Sequence, residues 1–416
     1  MGWKVAGWVS AVIVAALVAA SLSAYIRYRD VWTSIHRIDI SGAELGKRPP
    51  VYNTDALNIL LIGSDSRGGA NSRFGAGISG QRSDTIMILH ISPGHRGATV
   101  LSIPRDSMVP YFSCPAAGPG SPGQQAEPGQ TERINATFAN GGPGCLWKTV
   151  EHETGIHIDH FIELTFTGFE RIINDIGGVN ICLPEPVDDP DSGLRLAAGL
   201  HHVRGAEALA FWRERHIGTG SDLQRIQRDQ YLMASLLQGI AHSDILGSPA
   251  KIYSVVVDAA SAMTTDSGLD LNTMLQIADS LRGLSAGAVQ FVQVPEVPYP
   301  GDPAAEVMFE QPQAGQLFTA ISNDTAPSDP ATSARSGGRD RADVPASPSA
   351  HPRPPAAQPS PGGTPAARPS GSPASSPSPP ASGLNQKYGG INGAARVCRD
   401  QGAFAGPDAP ADFSGP

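Results

Sequence analysis

The sequence predicts an α/β protein with a three-layer α/β/α sandwich around a central mixed sheet. Three uninterrupted apolar runs, each bounded by loop residues, are typical of strands that are covered on both faces. Segments with helical periodicity alternate with strands along the chain, which favours this class over separate helical and sheet domains. With 416 residues and a hydrophobic fraction of 40%, the chain can also bury a sizeable core.

The first three strands are predicted in ALNILLIGSDSR, DTIMILHIS and ATVLSIPRD. The first of these runs is apolar from Leu57 to Ile62 and is halted by Gly63. A later strand is predicted in AVQFVQVPEV. Helical periodicity predicts helices in CLWKTVEHETG, FTGFERIINDIGG and RGAEALAFWRER, and over residues 222–242, 251–262 and 271–284.

The N-terminal segment VAGWVSAVIVAALVAASLSAYI, residues 5–26, carries no charge and is long enough to cross a hydrocarbon core as a helix. A signal peptide cleaved near residues 21–24 is the alternative. We favour an uncleaved anchor because the apolar run exceeds a usual signal-peptide core and ends in Tyr25, Arg27 and Tyr28, which suit a membrane interface. We therefore expect a single-pass protein of the cell membrane whose globular part is extracytoplasmic.

The C-terminal part has the composition of a disordered tail. Beyond residue 326 it is rich in Pro, Ser and Ala and poor in aromatic and β-branched residues, so it cannot bury enough surface to offset the entropy of ordering. Four regions are predicted: a cytoplasmic flank with the transmembrane anchor over 1–29, a connector over 30–52, a globular catalytic domain over 53–322 and a disordered tail over 323–416.

Four cysteines fit an extracytoplasmic placement. Cys114 and Cys145 flank an insertion rich in Gly, Pro and Gln, and a disulfide between them would close a loop of about 30 residues and stabilise the fold by roughly 3 to 4 kcal/mol. Two buried thiols are the alternative. The sequence leaves the pairing of Cys182 and Cys398 open, since four cysteines allow three pairings.

The net charge of −9 argues against nucleic acid as the main partner, because binding to a phosphate backbone normally requires a basic domain. Any anion site must therefore be local. The run DDPD at residues 188–191 is interpreted as a solvated acidic turn rather than as a calcium site.

Acidic residues and arginines are paired where the three apolar strands end. The pairs are Asp65 with Arg67, Arg82 with Asp84, and Arg105 with Asp106. Loops at strand ends form the ligand crevice of open α/β sheets. Carboxylates ligate Mg²⁺, and guanidinium groups bind phosphate oxygens in a bidentate manner. A single pair is equally consistent with a local salt bridge, but three pairs together predict a phosphate site.

A second segment, FWRERHIGTGSDLQRIQRDQ, supports that prediction. It places four arginines on both sides of a Gly-rich turn: Arg213, Arg215, Arg225 and Arg228. The sequence has no Ser or Cys in a nucleophile-elbow motif and no P-loop lysine, which argues against covalent catalysis and against a nucleotide-binding P-loop.

The set of motifs resembles the LytR-CpsA-Psr family, in particular its actinobacterial members with extended tails. The resemblance covers about residues 57–236 and consists of seven segments in the family's order: NILLIGSDSR, QRSDTIMILHI, LSIPRD, RINATFANGGPGCLWKTVEHETGIHIDHF, FTGFERIINDIGGV, AEALAFWRERH and SDLQRIQRDQ. Two positions depart from the family's GRxxRQQ element, where Gln224 replaces Gly and Asp229 replaces the first Gln. An aspartate there would repel a phosphate group.

The resemblance implies a membrane-anchored, extracytoplasmic phosphotransferase. Such enzymes move a glycopolymer from a polyprenyl-pyrophosphate carrier onto peptidoglycan with formation of a phosphodiester bond, assisted by Mg²⁺, with Mn²⁺ as the alternative ion. It also implies residue roles. Asp65 and Asp84 match the metal-associated aspartates, Asp65, Asp84 and Arg105 are the expected catalytic residues, and the expected pyrophosphate ligands are Arg82, Arg105, Arg213, Arg215, Arg225 and Gln230.

Charge neutralisation and alignment are the main demands of phosphoryl transfer, which agrees with a site of arginines and carboxylates. The lipid would need an apolar tunnel, for which the helical segments 166–176 and 226–240 are the candidates. Two alternatives stay open: hydrolysis, with the protein acting as a polyprenyl-pyrophosphate phosphatase, and a non-catalytic binder or regulator that holds the lipid pyrophosphate.

Overall fold

The computed structural model describes residues 35–65, 82–116, 123–125, 129–183, 185–214, 217, 222–243, 245, 247–280, 284–325 and 390–392, with residues 8, 18–19, 21–22 and 29. No helix within this part of the chain is both long enough and apolar enough to cross a membrane. Most of the predicted anchor, and all of the predicted tail except 323–325 and 390–392, lies outside the described residues.

The described chain contains sixteen strands and eight α-helices. In chain order, β1 to β16 are His36–Ile38, Leu57–Ser64, Ser83–Ile91, Ala98–Ile103, Met108–Pro110, Thr131–Arg133, His160–Thr165, Val179–Leu183, Val187–Asp189, Leu194–Leu196, Gly199–Val203, Met263–Asp266, Val289–Gln293, Glu296–Pro298, Val307–Phe309 and Gly390–Asn392. Helices α1 to α8 are Gly42–Leu45, Ile134–Thr154, Phe166–Asp175, Gly205–Arg213, Asp222–His242, Pro249–Ser261, Leu271–Ser280 and Gln313–Ser322.

Eight of the strands form a central mixed sheet in the order β1, β12, β7, β2, β3, β4, β13, β16. Strand β3 is antiparallel to both β2 and β4, whereas β7 is parallel to β2. One side of the sheet therefore collects the ends of β2, β4 and β7 and the beginning of β3. We call this side, where strands begin or end, the edge of the sheet. The prediction of an α/β fold with a central mixed sheet is confirmed.

Both faces of the sheet are covered, as the unbroken apolar strands predicted. Leu60, Ile88 and Leu101 face a core that is completed by α2 and α8. Met87 and Val100, which point to the opposite face, pack against residues of α5. A separate cluster joins α3, α4 and the hairpin of β8 and β11 beside the sheet.

Helix α2 begins at Ile134, eleven residues before the predicted segment. The backbone leaves the helical region at Gly142, where φ is +67°, directly before Pro143. Because the run GGPG interrupts the periodicity, the buried first half with Phe138 was not recognised. The hairpins formed by β8 with β11 and by β9 with β10 were also not predicted.

The predicted disulfide between Cys114 and Cys145 is confirmed, with a Cα–Cα distance of 5.5 Å. A Cβ atom at Gly141 would lie 2.6 Å from the Cβ atoms of both cysteines, so only glycine leaves room for the bridge against α2. Cys182 is disulfide-bonded as well, and Cys398 lies outside the described residues.

Two segments outside the predicted globular region join the sheet. Strand β1, from the predicted connector, pairs in parallel with β12. Strand β16, from the predicted tail, pairs antiparallel with β13 and is the last strand of the sheet, as β1 is the first. Its Ile391 contacts the apolar cluster around Phe291. The tail is therefore not wholly disordered, because its last apolar segment can bury a side chain against the sheet.

Candidate active site

Three of the predicted site residues lie at one edge of the sheet because of the strand directions. Asp65 follows β2, Asp84 lies at the start of β3, and Arg105 follows β4 by two residues. The register between β2 and β3 shifts at Gly63 and Ser64, an irregularity of the kind that redirects side chains next to functional sites.

The backbone of Arg82 is joined to Asp65 across this edge. The amide of Asp65 donates to the carbonyl of Arg82 at 3.1 Å, and the amide of Arg82 donates to Oδ1 of Asp65 at 2.7 Å. These bonds fix the Asp65 carboxylate beside the first residues of β3. The side chain of Arg82 is exposed.

Asp84 lies between two guanidinium groups. Nη1 of Arg105 donates to Oδ1 of Asp84 at 2.5 Å, and Nη2 of Arg225 lies 3.9 Å from Oδ2 of the same carboxylate. Arg105 also donates through Nε to Asp106 at 3.3 Å. All of these side chains are at least half buried, so solvent screens their charges only in part.

A cavity of about 380 Å³ opens at this edge, and we call it the main cavity. Its lining combines carboxylates, guanidinium groups and aromatic rings from strand ends and helices: Gly63, Asp65, Asp84, Phe166, Asp189, Asp191, Ser192, Trp212, Arg213 and Arg225. The guanidinium carbon of Arg213 lies 5.4 Å from the centre of the Phe166 ring, a cation–π contact that orients the arginine.

Gly63 leaves the space in which the Trp212 ring packs beside the main cavity. A Cβ atom there would lie 3.0 Å from Cζ2 and Cη2 of Trp212 and from Cβ of Thr85. The indole ring therefore lies directly against the end of β2, and it also contacts the ring of Phe169, with ring centres 4.6 Å apart.

Helix α5 contributes Arg225 to the main cavity and Asp229 to a small adjoining one, which Arg225 also lines. Residues four apart lie on the same face of a helix, which explains why Arg225 and Asp229 line neighbouring cavities. Asp229 is buried, and its Oδ2 accepts from the Thr85 hydroxyl at 3.4 Å. The charge of the neighbouring Arg228 partly compensates this carboxylate, which reduces the repulsion that the sequence predicted.

Gln230 lines neither of these two cavities, although it contacts Ser102, which lines the small one. It follows Arg225 by five residues, which corresponds to a rotation of about 140° around the helix. Its side chain is 1% exposed, and Nε2 donates to the Ser102 hydroxyl at 3.4 Å. Its expected contact with pyrophosphate stays a prediction. Arg67 and Arg215 lie outside the described residues.

Arg228 is buried and donates through Nη2 to the backbone carbonyl of Glu214. Burial lowers the pKa of this guanidinium, and the charge of Arg225 acts in the same direction, while Asp229 and Glu214 oppose the shift. Arg228 thus joins α5 to the end of α4 rather than lining the main cavity.

One group of site residues was missed by sequence reasoning. Residues 188–192, which we call the acidic turn, comprise the end of β9 and most of its connection to β10, and three of them line the main cavity. Because that hairpin was not predicted, nothing placed the turn near the strand ends. Near the site, burial raises the pKa of Glu163 on β7 despite a hydrogen bond with Ser64, the residue before Asp65.

The donor set of the main cavity fits a magnesium ion that is completed by substrate. Mg²⁺ at phosphate sites is usually held by one or two carboxylates together with phosphate oxygens. Asp65 and Asp84 supply two carboxylates on one wall. In the part of the chain that the structure describes, no group of three or more His, Cys, Asp or Glu residues forms a complete metal cage.

The fold and this cavity define a class: an α/β protein with a cleft of arginines and carboxylates at one sheet edge. The chain belongs to the LytR-CpsA-Psr family, whose model matches residues 28–322. The resemblance inferred from the sequence motifs is therefore confirmed.

Two relatives illustrate the match. The probable cell wall biosynthesis protein LcpB of Corynebacterium glutamicum is 34% identical over 257 residues, which cover 60% of this chain and 57% of that protein. The chain thus spans little more than half the length of that relative. The polyisoprenyl-teichoic acid–peptidoglycan teichoic acid transferase TagU of Bacillus anthracis is 24% identical over 275 residues, which cover 64% of this chain and 82% of TagU.

A solved structure supports the fold independently. The LytR-Csp2A-Psr enzyme from Actinomyces oris superposes with a TM-score of 0.51 at 24% sequence identity, covering 69% of this chain and 96% of that one. At this identity the likeness is evidence for the shared fold alone.

Proposed function

We propose that this protein is an extracytoplasmic phosphotransferase that moves a glycopolymer from a polyprenyl-pyrophosphate carrier onto peptidoglycan. The observation that carries the proposal is the position of Asp84 between Arg105 and Arg225 on the wall of a cavity that Asp65 and Arg213 share. The names of two relatives support it, since one is a probable cell wall biosynthesis protein and the other a teichoic acid transferase.

The proposed reaction needs no covalent enzyme intermediate. A hydroxyl group of peptidoglycan attacks the phosphorus that carries the glycopolymer, a phosphodiester bond forms, and the bond to the bridging oxygen of the pyrophosphate breaks. Polyprenyl phosphate leaves. Arg213 and Arg225 line the cavity and would neutralise the charge that develops on the phosphate oxygens.

The proton of the attacking hydroxyl must pass to a group within reach. Asp65 and Asp84 are the carboxylates at the strand ends that line the main cavity, and we assign proton acceptance to this pair. Arg105 orients Asp84 from outside the main cavity, and the backbone bonds with Arg82 hold Asp65 in place. Asp65 and Asp84 would hold Mg²⁺, or Mn²⁺ as the alternative ion, which when bound neutralises pyrophosphate charge.

The same proposal covers the remaining parts of the chain. Residues 5–26 would anchor the protein in the cell membrane with the catalytic domain outside, where the lipid-linked donor and the peptidoglycan acceptor meet. The polyprenyl chain would lie along apolar residues of α3 and α5, where Phe169, Ile173 and Leu232 belong to one cluster.

The experiment uses the full-length protein in detergent, a labelled polyprenyl-pyrophosphate-linked glycan, peptidoglycan fragments and MgCl₂. Wild type is expected to produce labelled peptidoglycan, and Asp84→Ala is expected to lose the transfer while its binding of the donor lipid remains detectable. Asp55→Asn, at an exposed aspartate, is the matched control. Release of unattached polymer without labelled peptidoglycan would instead indicate a phosphatase, and equal transfer by Asp84→Ala would reject the role of Asp84.

A further inference from the structure

Glu214 lies between two of the predicted pyrophosphate arginines, yet it points into the protein. It follows α4 in an extended conformation, with φ −60° and ψ +134°. The chain thus leaves the helical path directly after Arg213, the last residue of α4. Arg213 accordingly lines the main cavity, whereas Glu214 is fully buried at 0% exposure.

The buried carboxylate is connected to the acidic turn across the cavity wall. The Ser192 hydroxyl donates to Oε2 of Glu214 at 2.8 Å, and the Ser192 hydroxyl oxygen accepts from the amide of Leu194 at 3.2 Å. Ser192 itself lines the main cavity together with Asp189 and Asp191. Glu214 is therefore bonded to a residue that lines the main cavity.

The turn is held in one conformation by its own hydrogen bonds. The carboxylate of Asp189 accepts from the amides of Asp191 at 3.0 Å and Ser192 at 2.9 Å. Hydrogen bonding with Ser192 and with the amide of Asp191 lowers the pKa of Asp189, which keeps this residue of the turn anionic. A rigid turn transmits the position of Glu214 to the whole cavity wall.

Glu214 also connects this wall to the helix that carries the other cavity arginine. Its backbone carbonyl accepts from Arg228 on α5, the helix of Arg225. Three separate elements, the acidic turn, the end of α4 and α5, therefore meet at one residue.

A fully buried carboxylate such as Glu214 is unusual among apolar residues. Phe211 and Ile217, which are close to Glu214 in the sequence, and Leu194, two residues after Ser192, belong to one buried apolar cluster in the described chain. Burying a carboxylate among such residues is costly unless each oxygen is compensated, so an apolar residue would serve packing alone better.

We propose that Glu214 is a positioning residue that couples the acidic turn to Arg213 and Arg225 and so sets the width of the main cavity for pyrophosphate. The inference rests on the proposed function, because it concerns the same site. It adds a residue whose role is to hold the binding groups at a fixed separation before substrate enters.

The test measures binding of geranyl pyrophosphate with MgCl₂ by calorimetry and steady-state transfer kinetics, with the full-length protein in detergent. The variants are Glu214→Ala, Glu214→Gln, Ser192→Ala and the double variant of Glu214→Ala with Ser192→Ala. Glu207→Gln, at an exposed glutamate on α4, is the matched control. Thermal unfolding of each variant reports whether the fold is retained.

We expect Glu214→Ala to weaken geranyl pyrophosphate binding about tenfold and to lower kcat by a larger factor, since a displacement of about 1 Å at a reacting group can cost a hundredfold in rate. Glu214→Gln should recover most of both, because its amide oxygen still accepts from Ser192. The double variant should bind no more weakly than Glu214→Ala, since both changes break the same connection.

Wild-type affinity and kcat in Glu214→Ala would overturn the inference, as would losses in Ser192→Ala and Glu214→Ala that simply add. If Glu214→Ala does not fold, Ser192→Ala and Glu214→Gln are compared instead. Reduced affinity in Ser192→Ala with near-normal affinity in Glu214→Gln supports the inference. Equal affinities in these two variants overturn it. Wild-type protein that binds geranyl pyrophosphate without transferring glycan would refute the proposed function alone. Wild-type protein that does not bind it would refute both.

Discussion

Nη1 of Arg105 lies 2.5 Å from Oδ1 of Asp84, although the two residues belong to different strand ends. The contact fixes one oxygen of the carboxylate, while Arg225 lies 3.9 Å from the other. Asp84 is thus oriented from two sides before any substrate binds, and preorganised charge of this kind is what phosphoryl transfer requires.

Replacing Arg105 should therefore reduce catalysis more than stability. We expect Arg105→Ala to lower kcat by about a hundredfold, the cost of losing one preorganised group, with little change in thermal unfolding. Arg105→Lys should recover only part of the rate, because lysine cannot present a planar fork to both Asp84 and Asp106. Transfer kinetics measure the effect, with the exposed Arg96→Ala as control. A wild-type kcat in Arg105→Ala would contradict it.

Gly63 provides a prediction about packing. Gly63→Ala places a methyl group 3.0 Å from the Trp212 ring and from Thr85, so we expect a loss of about 1 to 3 kcal/mol in the free energy of unfolding, the usual cost of overpacking. Combining it with Trp212→Leu should cost less than the sum of the two changes, because the smaller side chain makes room. Chemical denaturation measures the free energy of unfolding of the single and double variants. Strictly additive losses would show that the added methyl group does not clash with the indole ring.

The disulfide predicts a stability effect that is independent of the site. Changing Cys114 and Cys145 together to serine should lower the free energy of unfolding by about 3 kcal/mol for a bridge spanning 31 residues. Substitution is preferable to a reducing agent, since Cys182 is also disulfide-bonded. An unchanged denaturation midpoint would mean that the bridge does not constrain the unfolded chain.

Glu163 gives a prediction about pH. Burial raises the pKa of this carboxyl in the folded state, so the folded protein binds the proton more tightly than the unfolded chain. The free energy of unfolding then decreases as pH rises above about 4.3, the pKa of a glutamate in the unfolded chain. Glu163→Gln removes this loss and should be more stable than wild type at pH 7, with a difference that shrinks as pH falls towards 4. A difference that is constant over this range would contradict the assignment.

The sequence predicted the part of the site that depends on strand ends. Asp65, Asp84 and Arg105 could be placed together because apolar runs identify buried strands and charged residues mark their termini. The helical period, applied to Arg225, would also have indicated that Asp229 shares its face, since positions four apart lie on one side of a helix.

The rest of the site depends on contacts that have no local signal. Ser192 lies between β9 and β10, a hairpin whose strands have only three residues each, too short for a clear alternation of side chains. Glu163 is an ordinary strand residue until its neighbours bury it. The first half of α2 was hidden by its Gly and Pro residues, although tertiary packing around Phe138 overrides them.

The central claim is that guanidinium groups distant in the sequence converge with two carboxylates on one diphosphate. A crystal structure of the protein with geranyl pyrophosphate and Mg²⁺ tests it most directly. We predict both phosphates in the main cavity, in contact with Arg213 and Arg225, with the ion between them and the carboxylates of Asp65 and Asp84. A diphosphate bound elsewhere on the surface, with this cavity holding only water, would contradict the account.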